Sequence, residues 1–355
     1  MRSEASFWLE KIRALPRMDV KLMEVCGTHT MAIARAGIKS LLPEGVELLS
    51  GPGCPVCVTP AEEIDAVLAL AMEPGVILTS YGDMLRVPGS RPGDSLQRRR
   101  ALGARVELVY SPVDAIGLAK NNPGKEVVFL GVGFETTAPG TAAAVLTARE
   151  QGVKNFSVWS MLKTVEPALR ALLKQEDFAV RGFLCPGHVA TVIGAEAFRF
   201  LPEEYSIPAV VGGFEPKEIL HALYLLLRQI AEGEPKLENA YPRAVRAGGN
   251  PLAKRMIDAC LEPRRDLWRG LGEIEASGLG WREEFSAWDA EKKFDLRHEN
   301  TEGTRGCRCG DVICGRCRPA DCPMFARRCT PEDPVGPCMV SSEGACAAAY
   351  KYQMV

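Results

Sequence analysis

The chain has 355 residues, enough for two or three domains with cores of their own. Charged residues make up 25% of it, the net charge is −2 and no large basic face stands out, which argues against nucleic acid as a partner. No run of about 18 apolar residues predicts a membrane span and the N-terminus reads as no export signal. The thirteen cysteines are therefore expected in a reducing cytoplasm, where they point to metal or redox work over a disulfide scaffold.

Residues Glu4 to Leu15 predict a short amphipathic helix, broken by Pro16. Lys21 to Val25 reads as a strand ending at Cys26-Gly27-Thr28-His29-Thr30, with a helix over Met31 to Leu42. Val46 to Leu49 predicts a second strand, running into Ser50-Gly51-Pro52-Gly53-Cys54-Pro55-Val56-Cys57-Val58-Thr59-Pro60. The helix from Ala61 to Leu70 should start with Thr59 as N-cap, Pro60 at its first position and Glu62 completing a Thr-x-x-Glu capping box. Two thiols thus fall in a tight Gly/Pro turn between a strand end and a helix start, where an α/β fold places its chemistry. Helix N-terminal amides favour thiolate over thiol, so Cys54 and Cys57 are candidates for nucleophilic, redox or metal-binding roles; the bland alternative is an inert half-buried pair. Strands are expected at Val76 to Thr79 and Arg105 to Tyr110, and helices around Ser95 to Leu102 and Asp114 to Asn121; the run Arg98-Arg99-Arg100 is read as a solvated helix face.

A second, similar series begins with the apolar strand Glu126 to Leu130. It leads into Gly131-Val132-Gly133-Phe134-Glu135-Thr136-Thr137-Ala138-Pro139 and an Ala-rich helix to Glu150. Phe156 to Ser160 predicts a strand, Glu166 to Lys174 a helix, and Phe183-Leu184 leads into Cys185-Pro186-Gly187-His188-Val189. Ala209 to Val211 leads into Gly212-Gly213-Phe214-Glu215-Pro216 and a long helix to Ile230. Gly-Phe-Glu at 133–135 returns at 213–215, a weak internal repeat. Continuous apolar strands alternating with helices predict parallel sheets covered on both faces. After about Gly233 the character changes: Tyr241 to Cys260 and Asp266 to Gly278 read as helical, and from Arg297 the chain is dense in Cys, Gly and Pro. The expected organisation is two related parallel α/β domains flanking a cleft, 1–125 and 126–233, followed by a mainly helical, Cys-rich unit over 234–355.

Eight of the thirteen cysteines lie between Cys307 and Cys346, too little apolar sequence to fold without a staple. Zinc would take Cys307, Cys309, Cys314 and Cys317 at short intervals, an iron–sulfur cluster four thiolates with longer loops between them; spacing does not choose. His29, three residues after Cys26, is placed to act as a basic neighbour for that thiol. Cys185 and His188 share a third strand-end turn. Glu135 and Glu215 stand at strand carboxyl ends, where each either faces a ligand or caps its own helix. The glycines at 131 and 133 lack the third of a dinucleotide fingerprint and the chain has no Walker lysine, so nucleotide binding is a weak reading. His221, inside an apolar helix, reads as a packed or surface histidine.

Together these motifs resemble the hydrogenase maturation factor HypD family. The matches are Cys26-Gly27-Thr28-His29-Thr30, Gly51-Pro52-Gly53-Cys54-Pro55-Val56-Cys57, Gly133-Phe134-Glu135-Thr136-Thr137-Ala138-Pro139, Pro186-Gly187-His188-Val189 and Gly213-Phe214-Glu215-Pro216. The tail from Cys329-Thr330-Pro331 through Cys338-Met339-Val340-Ser341-Ser342-Glu343-Gly344-Ala345-Cys346 matches as well. The resemblance implies a scaffold for the iron centre of [NiFe]-hydrogenases, an iron carrying cyanide and carbon monoxide. It implies a complex with a small HypC-type chaperone, cyanide from a HypE-type donor, and a monomer when isolated. By likeness Cys26, Cys54 and Cys57 handle iron, with His29 lining the same cleft and Glu135, His188 and Glu215 as further site residues. The family's C-x12-C-x6-C-x16-C pattern for a [4Fe–4S] cluster falls on Cys309, Cys322, Cys329 and Cys346. Cys338 is the obvious substitute, and Cys307, Cys314 and Cys317 are extra to the pattern. A scaffold acting inside a complex need not be an enzyme. The rivals are a cluster-linked thiol–disulfide oxidoreductase using Cys54 and Cys57, and a zinc-stapled interaction module.

Overall fold

The computed structural model describes residues 4–295 and 306–352; the first tail residues expected to be loop, from Arg297 to Arg305, lie outside them. In chain order the strands are β1 Val20–Glu24, β2 Val46–Ser50, β3 Val76–Ser80, β4 Val106–Leu108, β5 Glu126–Gly133 and β6 Phe156–Leu162. They continue with β7 Val180–Pro186, β8 Ala209–Gly212, β9 Leu237–Asn239, β10 Leu261–Trp268 and β11 Gly272–Trp281. One sheet has the order β2-β1-β7-β8-β9, a second β4-β3-β5-β6, and every pairing in both is parallel. This is the α/β architecture expected from the apolar runs. β3 and β6 are buried along their whole length, and β5 beyond Glu126, because helices cover both faces.

The division of the chain differs from a cut near residue 125. The first sheet takes β1 and β2, loses the chain to the second sheet for β3 to β6, and regains it for β7 to β9. Each strand–helix unit was legible on its own. Which strands become neighbours depends on backbone hydrogen bonding between segments about 160 residues apart, as for β1 and β7, which no local pattern encodes.

The Cys-rich tail is helical as expected, with helices at Cys309–Ile313, Pro337–Val340 and Ala345–Tyr352, but the stretch from Asp266 to Gly278 is not. Pro251–Cys260 is a helix, but β10 and β11 form an antiparallel hairpin with Leu261 opposite Trp281. Its turn uses Gly270 and Gly272 at positive φ, and Trp268, Ile274, Leu279 and Trp281 are buried. The buried amine of Lys163, just after β6, anchors the hairpin with Nζ 2.8 Å from Asp266 Oδ2 and 3.0 Å from the Leu267 carbonyl.

Two local expectations change at the central turn. Pro55–Val58 is itself one turn of helix, with Cys54 as N-cap and the Cys57 N–H donating to Cys54 Sγ at 3.2 Å. Thr59 ends that turn and donates to the Pro55 carbonyl; the next helix, Ala61–Leu70, starts one residue later, with Pro60 at its N-cap and no side-chain cap. The helix predicted over Met31 to Leu42 starts earlier, at Gly27, and is interrupted at Gly37, whose φ is 62°. His221 stacks on Trp8 at 4.0 Å, a packing role as expected.

At Gly53 a Cβ would stand 2.2 Å from the Cys26 nitrogen and 2.4 Å from the Val25 carbonyl carbon, backbone that has nowhere to go. Gly53→Ala is therefore expected to cost several kcal/mol, in the range of about 2–5 kcal/mol for severe core defects. Gly117→Ala, on a helix where a new Cβ meets nothing within 4 Å, should instead be neutral or stabilising by up to ~1 kcal/mol. Urea unfolding of both variants against wild type checks the contrast.

Candidate functional site

A cleft of about 270 Å³ opens where the carboxyl ends of both sheets meet. Its lining comes from the residues after β1 (Val25, Cys26), β3 (Tyr81, Asp83), β5 (Phe134) and β7 (His188), closed on one side by Ser341 and Glu343 of the tail. Strand carboxyl ends collect ligands in open parallel sheets because the helix N-termini that follow them point there.

Cys26 faces this cleft as the N-cap residue of Gly27–Arg35, its own N–H donating to Glu24 Oε2 at 3.0 Å. Burial pushes its thiol up to about 12; the N–H groups of His29 and Thr28 pull the other way, and the Glu343 and Glu24 charges add to the rise. The expected activation as thiolate is thus not supplied by the fold: desolvation outweighs the helix amides. A bound cation would reverse the balance by replacing the lost solvation.

His29 does not line the cleft. Its ring is fully buried behind the turn, Nε2 lies 2.9 Å from the Gly213 carbonyl, and burial lowers its pKa to about 4. The ring is therefore neutral and Nε2 carries the proton that the carbonyl accepts, while buried Nδ1 has no hydrogen-bond partner among the described residues. His188 does reach the cleft. Its ring stacks on Phe214 at 3.9 Å and Nδ1 stands 3.5 Å from Thr28 Oγ1, with burial lowering its pKa. Phe214 contacts both imidazoles, His29 at 4.7 Å on its other side. The second Gly-Phe-Glu thus contributes its aromatic ring, a role the sequence reading did not assign.

The two glutamates of the repeat part company. Glu135 is buried outside the cleft, with Oε1 accepting from the Val165 N–H at 2.9 Å and Oε2 lacking a partner among the described residues; burial raises its pKa to about 7. Glu215 is exposed on the far side at the start of Pro216–Glu232, 3.7 Å from Lys217, and does not line the cleft either. The carboxylates that do line it are Asp83 and Glu343. Glu343 Oε1 accepts from Thr28 Oγ1 at 2.8 Å, and Asp83 Oδ2 accepts from Ser341 and Ser342 at 3.2 and 3.5 Å. Burial raises the Glu343 pKa, the Thr28 bond opposes it and the Asp83 charge adds to it. Glu343 packs so closely that a Cβ on Gly27 would meet its Cβ at 2.3 Å. The sequence signal for it was the Ser-Ser-Glu-Gly-Ala-Cys string, whose Glu was read only as part of a cysteine motif.

Cys54 and Cys57 are bonded to each other as a disulfide with Cα atoms 5.3 Å apart. Both are buried behind the cleft wall, to which their turn contributes Gly53, Pro55 and Val56. The Pro55–Val58 helix packs on its other side against the helices Cys309–Ile313 and Pro337–Val340. Those helices carry two of the tail thiols. Cys307, Cys309, Cys322, Cys329, Cys338 and Cys346 line one small enclosed cavity, with Cys309 and Cys338 Sγ atoms 2.7 Å apart. This all-thiol donor set suits an iron–sulfur cluster. The four cysteines of the C-x12-C-x6-C-x16-C pattern are all among the six. Among the described residues no three metal-ligating side chains are already drawn into a coordination sphere. Cys314 and Cys317 stand apart from the cavity, Cys314 beside the Gly270 carbonyl, which argues against a zinc site built from Cys307, Cys309, Cys314 and Cys317.

A family model described as "HypD: Hydrogenase formation hypA family" matches residues 4–353. The chain belongs to the HypD family. The hydrogenase maturation factor HypD of Rhodobacter capsulatus is 46% identical over 348 residues, covering 97% of this chain and 92% of that protein. Its counterpart in Azotobacter vinelandii is 46% identical over 95% of this chain and 90% of the relative, and that of Escherichia coli K12 44% over 94% and 89%. Among the described residues no helix is long and apolar enough to cross a membrane.

Glu135 carries a pH prediction. Its carboxyl, near 4.5 when unfolded and about 7 when folded, contributes stability that is full below pH 4.5 and lost as pH rises to about 7. Glu135→Gln keeps an oxygen for the Val165 N–H and cannot ionise. Between pH 5 and 8 wild type should lose more stability than Glu135→Gln, by up to about 3 kcal/mol. Equal losses in urea titrations at the two pH values would sink this assignment.

Proposed function

We propose that this protein is a redox-active scaffold in hydrogenase maturation, holding iron in the cleft while cyanide and carbon monoxide ligands are attached. The observation that carries the reading is the placement of the Cys54–Cys57 helix. It is shared between the cleft wall beside Cys26 and the cysteine-lined cavity. One element thus touches both the place where iron would be held and the place where electrons would be stored.

Reduction of the Cys54–Cys57 bond takes two electrons and two protons and yields two thiols, which lose those protons on binding ferrous iron. A [4Fe–4S] cluster held by Cys309, Cys322, Cys329 and Cys346 would supply electrons one at a time from an external reductant. Cys26 serves as the third thiolate. Its proton would leave as iron binds, the cation replacing the solvation that burial removes. Soft thiolates suit ferrous iron carrying strong-field diatomic ligands. Thr28 and Glu343 fix the opposite wall, and among the described residues His188 is the one imidazole that lines the cleft. A HypC-type chaperone would bring a further cysteine to the open side and a HypE-type partner the cyanide, both by likeness to the family.

A cluster-linked thiol–disulfide oxidoreductase would use the same Cys54–Cys57 pair. The pair's burial disfavours it, because a generic disulfide substrate cannot reach either sulfur.

After anaerobic co-expression with the maturation partners, infrared spectra should show sharp bands in the triple-bond stretching window, absent in Cys26→Ala. A blank window in a cluster-loaded wild-type protein, together with turnover in an insulin-reduction assay, would favour the oxidoreductase. Cys54→Ser should abolish hydrogenase maturation in cells while the protein still accumulates; full maturation by that variant contradicts the redox role.

A further inference from the structure

A cavity larger than the cleft lies elsewhere in the described chain. A space of about 580 Å³ lies on the opposite side of β2 and the Gly27–Arg35 helix, closed by the tail helix Ala345–Tyr352 and the segment from Val312 to Pro319. Its volume falls within the range of small-molecule sites, about 300–1,000 Å³. The reading given above uses none of it.

The chemistry of its walls is asymmetric. Ile33, Leu48, Val312 and Ala348 make an apolar side, and Lys39 and Arg318 stand at the polar end. Arg318 is already engaged with Asp321, and Glu47, the acidic residue of the lining, with Lys21. Lys39 has no ion pair and no hydrogen bond to any described residue. Glu24, buried behind the wall, accepts from Thr30 Oγ1 at 2.5 Å and from the Cys26 N–H at 3.0 Å and stays beyond ion-pair distance of Lys39. Burial lowers the Lys39 pKa, opposed by the Glu24 and Glu47 charges, as for an ammonium short of solvent and of partners. An ammonium without a partner at the edge of an apolar cavity is costly unless an anion answers it.

We propose that this cavity is a binding site for a small amphipathic monoanion, a carboxylate headgroup on Lys39 with an apolar body along Ile33, Leu48 and Ala348. One unpaired cation matches one negative charge. A phosphate-bearing ligand would want two or more free donors, and Arg318 is committed. The ligand would span the tail helix and the first sheet, so its occupancy clamps the tail over the back of the Cys26 turn. The site is distinct from the cleft and does not depend on iron handling.

The test uses the full-length protein and octanoate as probe, with octanol as its uncharged counterpart, in isothermal titration calorimetry. Octanoate should bind wild type, bind Lys39→Met about tenfold more weakly or worse, and bind Lys39→Arg within about threefold of wild type. Octanol affinity should not change between wild type and Lys39→Met. Lys39 sits on the partly buried rim of the cavity, and coincident thermal unfolding curves for the variants would confirm that the fold is kept. Absence of octanoate binding to wild type, or equal binding by Lys39→Met, overturns the proposal.

Discussion

The structure depends on one backbone contact, that between Gly53 and the Cys26-Gly27 peptide. The Gly27 N–H donates to the Gly53 carbonyl at 2.8 Å, and the Gly53 N–H turns back to the Gly51 carbonyl at the same distance. β1 and β2 are parallel neighbours in register from Val20–Val46 to Glu24–Ser50, so their exits lie side by side. Only residues without a Cβ let the two exit loops touch main chain to main chain. That contact fixes the Cys26 thiol against the turn that carries Cys54 and Cys57. Cysteines separated by up to 31 positions are thereby brought together, Cys26 on the cleft wall and Cys54 and Cys57 behind it.

The same economy of space governs the tail. Glu343 lies over Gly27, and the serines before it reach Asp83 beyond β3. A Cys-rich segment with little apolar surface of its own is therefore held by two sheets at once, through a few polar contacts and the packing of Cys309–Ile313 and Pro337–Val340 on the Cys54 helix. Electron exchange between buried sulfurs needs short separations rather than exposure. On the proposed function, the disulfide behind the cleft wall and the thiol-lined cavity beyond it would be the two partners in such an exchange. Burial also explains why Cys26 is held as a thiol and His29 as a neutral ring.

Much of the fold was legible because its strands are buried on both faces and its turns carry Gly and Pro. β1, β2, β3 and β5 fall where the apolar runs put them, and the Pro216–Glu232 helix starts at the turn that announced it. The misreadings share a cause. β10 and β11 carry enough helix-forming residues to mimic a helix, and only packing of Trp268 and Trp281 against the second sheet settles them as strands. Glu135 and Glu215 occupy equivalent places in two copies of one motif, yet one is buried on a backbone N–H and the other caps a helix in solvent.

The sequence by itself determined the α/β class and the strand-end turns, and it gathered eight of the thirteen cysteines into the tail. These are local: spacing, turn residues and apolar runs state them within a dozen positions. Only the tertiary structure decided that β7 to β9 return to the first sheet, that His29 hides behind Gly213 while His188 faces the cleft, and that Glu343 and Asp83 are its carboxylates. Each of those outcomes turns on which side of a residue faces a segment more than a hundred positions away. Burial and hydrogen bonding across that distance have no signature in the neighbouring sequence.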